Sequence, residues 1–199
     1  MRSTTRKIAT IFISFLLVAC GNGGGGGVVV ETPSSGSTTV QSSAAGTTTA
    51  PASVELTGAT VTIPAQTTLK AADGTPVTGA VLVKASYGIT GTALPVAEQT
   101  PPANTSMKAY IDIVMTADGK TVKNVDPAIP VSMAVSLPNG TAVDIYSYSD
   151  AATGWVYESS TTVTAGAVNF SVSHFSSYGC FLRNITGLTG GSNGGVTQQ

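Results

Sequence analysis

Met107-Lys108-Ala109-Tyr110-Ile111-Asp112-Ile113-Val114-Met115-Thr116 is the stretch that decides the fold. Met107, Ala109, Ile111, Ile113 and Met115 fall on one face; Lys108, Tyr110, Asp112 and Thr116 fall on the other. That period of two belongs to a strand with one buried side. Pro130 to Leu137 repeats it, with Val131, Met133, Val135 and Leu137 inward and Ser132, Ala134 and Ser136 outward. Val81, Val83 and Ala85, then Val143 and Ile145, then Val168, Phe170 and Val172 continue the pattern. Between these runs stand turn formers: Asp73-Gly74, Asp118-Gly119, Pro138-Asn139-Gly140 and Thr153-Gly154. No stretch among them shows a helical period of useful length. The spacing predicts an all-β chain, a single antiparallel β-sandwich over residues 53–182.

Outward from that core the composition changes. Residues 20–52 are almost all Gly, Ser, Thr, Ala and Val, with five consecutive glycines at Gly23 to Gly27. So little apolar surface cannot offset the entropy of ordering, which predicts a flexible, disordered tether spanning roughly 30 Å. Residues 183–199 have the same look and are expected to be a loose tail. The long connection Thr90 to Ser106, with Pro95, Pro101 and Pro102, is expected to cross between sheets at the surface, a candidate binding loop.

The N-terminus places the protein. Arg2, Arg6 and Lys7 precede an apolar run from Ile8 to Ala19. That run is too short for a bilayer, which needs about 20 residues, and has the build of a secretion signal. Its end, Leu17-Val18-Ala19-Cys20, resembles the lipobox of bacterial lipoproteins. The resemblance implies cleavage of residues 1–19 and lipid, palmitate included, on Cys20. It implies attachment to a membrane of a bacterial cell envelope. Gly21 and Asn22 lack the aspartate that resembles an inner-membrane retention signal, which favours the outer membrane where there is one.

Three of the nine basic residues lie in the signal, leaving six against ten acidic ones. No basic cluster remains, which argues against a nucleic-acid partner. One histidine, a spare cysteine and aspartates placed in turns make no metal constellation, so neither metal nor other cofactor is expected. With Cys20 acylated, Cys180 has no partner. Its neighbours Tyr178, Phe181 and Leu182 predict a buried, inert thiol. The sequence has no hydrolase elbow and no phosphate-binding glycine loop, so an ordinary enzyme is not expected.

Two segments together carry a family resemblance. Val61-Thr62-Ile63-Pro64-Ala65-Gln66-Thr67-Thr68-Leu69 resembles a strand and turn of the ZU-type β-sandwich of zona-occludens proteins, netrin receptors and ankyrins. Gly154-Trp155, followed by Val172-Ser173-His174-Phe175-Ser176, resembles the end of the same domain. The likeness covers Val54 to Leu182 and implies an interaction module. A few members cut themselves between the Phe and Ser of His-Phe-Ser.

That chemistry also stands by itself. Ser176 as nucleophile would attack the Phe175 carbonyl, with His174 as base. Against it, His174 is in phase with Val168, Phe170 and Val172. On a regular strand it points inward, as a buried neutral histidine bonded to a backbone carbonyl. A third possibility rests on Tyr146, Tyr148, Trp155 and Tyr157: exposed, they form a carbohydrate-stacking platform; covered, a second core face. The leading expectation is a lipid-anchored envelope protein presenting a β-sandwich as an interaction or structural module, its partner an envelope protein or glycan. The alternatives are self-cleavage between Phe175 and Ser176 and a carbohydrate-binding module.

Overall fold

The computed structural model describes residues 33–89, 100–148 and 153–184. Residues 1–32, which include Leu17 to Cys20 and the start of the expected tether, lie outside the described residues. So do residues 90–99 of the candidate loop and residues 185–199.

Twelve strands, numbered in chain order, form two antiparallel sheets with no helix among the described residues. The larger sheet runs β1 (Ser34–Ser42), β5 (Gly79–Ile89), β6 (Thr105–Ala117), β12 (Ser177–Arg183), β9 (Ala142–Tyr148), β10 (Trp155–Thr162), with β7 (Lys120–Val122) paired to β6. The smaller runs β11 (Ala167–His174), β8 (Asn124–Ala134), β3 (Ala59–Ile63), β2 (Ala52–Leu56), with β4 (Thr68–Lys70) paired to β8. The two pack as a β-sandwich.

Alternation builds the core as the sequence predicts. Ala109, Ile111, Ile113 and Met115 of β6 face Val61, Ile129, Val131, Met133 and Val168 of the other sheet, all buried. Asp118 and Gly119 both have positive φ, at 47° and 77°, and join β6 to β7 in the mirror-image turn that suits twisted strands.

Two boundaries are corrected. The expected tether fails over Ser34–Ser42, which is strand β1. It pairs with β5 at nine consecutive positions, from Ser34 opposite Tyr87 to Ser42 opposite Gly79. The composition is misleading because backbone pairing holds this strand, while few side chains anchor it. Val40 enters the core, Thr57 N donates to Ser34 Oγ (2.9 Å), and Ser42 Oγ donates to the Val77 carbonyl (2.8 Å). Gly36 lies so close to β2 that a Cβ would sit 2.9 Å from Leu56 and 3.2 Å from Val54. At the other end Arg183, assigned to the tail, is the last residue of β12 and is bonded to Asp144.

The two lateral sides of the sandwich differ. Gly36 seats β1 against β2 and closes one side. On the other, the side-chain hydrogen bonds between β10 and β11 among the described residues are Thr161 Oγ1 to the Asn169 carbonyl (3.3 Å) and Glu158 to His174 (3.0 Å). Val156 pairs with Ser147 and so takes the inner face, yet it is 41% exposed.

Candidate functional site

His174 ends β11, and Phe175 and Ser176 form the two-residue crossing by which the chain leaves one sheet for the other. The pairing of β11 with β8 shifts register between Val172 and His174, so the inward phase of the strand ends there. The expectation of a buried histidine on a backbone carbonyl is therefore corrected. The His174 side chain is 32% exposed; its Nε2 lies 3.0 Å from Glu158 Oε1 and its Nδ1 3.2 Å from the Tyr178 hydroxyl.

Each residue of the crossing has a partner. Phe175 is buried in the core and its N–H donates to the Lys123 carbonyl (3.0 Å). Ser176 Oγ donates to the Tyr148 carbonyl, and Ser177 Oγ to Asp112 Oδ1 (2.9 Å). Tyr178 donates its hydroxyl back to the His174 carbonyl. This is the geometry of a tyrosine corner, a Tyr at the start of a strand bonded to backbone a few residues upstream. Burial, then the charge of Glu158, pushes the Tyr178 phenol well above its ordinary range. The structure does not bring the candidate base and nucleophile together: both ring nitrogens of His174 face other groups, and the Ser176 hydroxyl is held by Tyr148.

The four candidate aromatic residues do come together, on the outer face of the larger sheet. Tyr146 and Tyr148 point away from Val143 and Ile145, as alternation requires, and Trp155 and Tyr157 pair directly opposite them. The rings meet edge to face, except Tyr148 and Trp155, which are tilted. Tyr146 lies 5.6 Å from Tyr157, and Tyr148 lies 5.3 Å from Trp155. Phe181, absent from the sequence-based set, sits at the centre, 5.2 Å from Tyr146 and 4.9 Å from Trp155. The face is neither fully exposed nor a sealed second core: Tyr146, Tyr148 and Trp155 are half-buried and Tyr157 is 51% exposed. Trp155 Nε1 is buried with no hydrogen-bond partner.

Gly179 makes the cluster possible. A Cβ there would lie 2.4 Å from Phe181 Cε2 and 3.1 Å from Trp155, so the rings occupy the space a side chain would take.

A polar rim borders the rings. Asp144, 3% exposed, accepts from Arg183 Nη2 (2.9 Å), Arg183 Nε and Ser160 Oγ (2.6 Å), and Ser160 shares a hydrogen bond with the Tyr157 hydroxyl (2.9 Å). Burial pushes the Asp144 carboxyl up. The bonds from Arg183 and Ser160 outweigh it and hold the group below its ordinary range. The bond to Asp144 in turn pushes the Arg183 guanidinium up.

Phe181 was legible in principle. Tyr178-Gly179-Cys180-Phe181 is apolar on both phases, the mark of a strand covered on both faces. Glu158 was not, because a bulge between Tyr157 and Ser159 breaks its phase. Cys180 is fully buried in the core, and burial, aided by the charge of Asp144, pushes its thiol up to about 12. Among the described residues no three His, Cys, Asp or Glu side chains form a metal-holding group. Compared with known proteins, the chain matches no family model, no curated protein and no solved structure.

Proposed function

We propose that the chain is a lipid-anchored protein of a bacterial envelope, held through Cys20, and that its β-sandwich is an interaction module. The observation that carries the reading is the aromatic half of the outer face. Tyr146, Tyr148, Trp155, Tyr157 and Phe181 gather away from the core, with Tyr157 among the exposed large apolar residues. Aromatic anchors beside an arginine are the composition of binding hot spots. The likeness of Val61 to Leu69 and of the His174 crossing to ZU-type domains supports the same reading.

The partner is an envelope protein or a glycan. The exposed ring of Tyr157 beside Ser160 and Arg183 favours the glycan as the second, narrower reading, because sugars stack on aromatic rings and bond to neighbouring polar groups. A pull-down from native envelope, paired with a glycan array, tests both. Tyr157→Ala and Trp155→Ala should each lose the captured partner. Retention by both variants would overturn the assignment of this face. Cys20→Ser tests the anchor separately: the protein should leave the membrane fraction and no longer incorporate labelled palmitate.

A further inference from the structure

The open side of the sandwich is held at one point by a junction of three titratable residues. Glu158 from β10 and Tyr178 from β12 both face His174 at the end of β11. From β8 the paired residue is Asn124, which is uncharged. Lys123, next to it, gives its carbonyl to Phe175 and has an exposed side chain. From β9, Ser147 Oγ donates to the same Glu158 oxygen (2.6 Å).

The protons can be counted. The Tyr178 hydroxyl has one, and its bond to the His174 carbonyl uses it. The 3.2 Å contact between Tyr178 Oη and Nδ1 then needs a proton on Nδ1. The 3.0 Å contact between Nε2 and the Glu158 carboxylate, which only accepts, needs a proton on Nε2. All three bonds form together only when the ring is an imidazolium.

We propose that the Glu158–His174–Tyr178 junction is a pH-sensitive clasp: the doubly protonated ring ties the edge strand β10 to β11 and to the tyrosine corner at once, and loss of one proton breaks one of the three bonds. A neutral ring with its proton on Nε2 keeps Glu158. Tyr178 must then abandon the carbonyl to serve Nδ1, or two lone pairs face each other. With the proton on Nδ1, the corner survives and the tie to β10 is lost. The clasp is therefore whole while the ring carries both protons and incomplete once it gives one up, so its contribution is lost as pH rises. Once it opens, the side-chain hydrogen bond that remains between these strands among the described residues is that of Thr161 to Asn169, and the edge strand β10 is held less firmly on this side.

His174 is the only histidine in the chain, so a ¹H–¹⁵N spectrum of the imidazole reads it without assignment. Amide exchange of Val156 to Ser160, corrected for intrinsic rates, reads the strand. In the full chain, protection at pH 5.5 should exceed that at pH 8.5 by about 2- to 5-fold, the range for a half-exposed pair. The ring should show two N–H signals at the lower pH and one at the higher. Glu158→Gln should abolish the difference in protection. Should that variant not fold, His174→Gln, which keeps a donor but cannot titrate, should abolish it too. A single N–H at pH 5.5, equal protection at both pH values, or a difference that survives either substitution would overturn the proposal.

Discussion

The two faces of the larger sheet are built from the same strands and owe their burial to different neighbours. On the inner face Val83, Ile111, Ile113, Ile145 and Cys180 are covered by the opposing sheet. On the outer face no sheet lies opposite, and cover comes from the side. One level of that face reads Gly88, Tyr110, Gly179, Tyr146, Tyr157 across β5, β6, β12, β9 and β10. The glycines leave gaps beside the rings, and Phe181 leans over one of them. The half of the same face nearer β1 has no such rings: Ser35, Ser37, Lys84, Ser86 and Asp112 line a shallow polar groove. Alternation tells which residues leave the core. What awaits them outside is set by residues far apart in sequence.

The hardest test of the comparison removes one residue from each face. Ile145 and Phe181 are both fully buried. Phe181→Ala should cost about 3–5 kcal/mol and Ile145→Ala about 2–5 kcal/mol, measured by urea unfolding. A cost near zero for Phe181→Ala would make the outer cluster a loose surface group instead of a second packed layer.

Gly179→Ala sharpens the same point from the opposite direction. It adds a methyl where Phe181 Cε2 is 2.4 Å away, and overpacking of this kind costs about 1–3 kcal/mol. Trp155 is the only tryptophan, so its fluorescence reports the displaced ring directly. An unshifted emission spectrum would mean that the rings do not pack over this glycine.

The inner face was legible in the sequence because each of its residues needs only its own strand's phase. Ala109 to Met115 and Val131 to Leu137 state it openly, while Met107, in the same phase, stays only partly buried and outside the core. Strand β1 was illegible because Ser34-Ser35-Gly36-Ser37-Thr38-Thr39 carries no apolar phase, and the edge of β5 recruits it through backbone bonds. The aromatic quartet was legible as a group, since Tyr146 and Tyr148 share a phase opposite Val143 and Ile145. Its half-burial was not, because it depends on Phe181 and Gly179 some thirty residues away. His174 was misplaced by phase alone: the register shift and the return bond from Tyr178 decide where its ring goes.

Between pH 9 and 10 the buried thiol of Cys180 probes the inner face. Burial raises the Cys180 thiol from 9.0 to about 12, so between those values the unfolded chain gives up a proton that the folded chain keeps. Stability then falls as pH rises, by about 1.4 kcal/mol per pH unit for that one group. Tyr178, raised by burial and then by Glu158, adds a slope of the same sign above its ordinary 10.0. Cys180→Ala should flatten the profile between pH 9 and 10, read from urea midpoints. An unchanged slope would show that the thiol titrates freely and that the inner face is open at β12.

The smallest effect on stability should carry the largest effect on binding. Tyr157 is 51% exposed, and its ring touches Tyr146 at one edge only. Tyr157→Ala should therefore change stability by no more than about 0.5–1 kcal/mol, as other surface substitutions do. Truncating an exposed aromatic anchor at a binding face removes about 2 kcal/mol or more of affinity, a loss of about thirty-fold. Val114→Ser supplies the matching control. It lies on the polar half of the same outer face, is 39% exposed, and should leave both stability and capture of the envelope partner unchanged. If Val114→Ser loses the partner while Tyr157→Ala keeps it, the working surface is the polar groove and the aromatic half only stiffens the sheet. If Tyr157→Ala alone loses it, the two halves of the face divide the labour as their compositions imply.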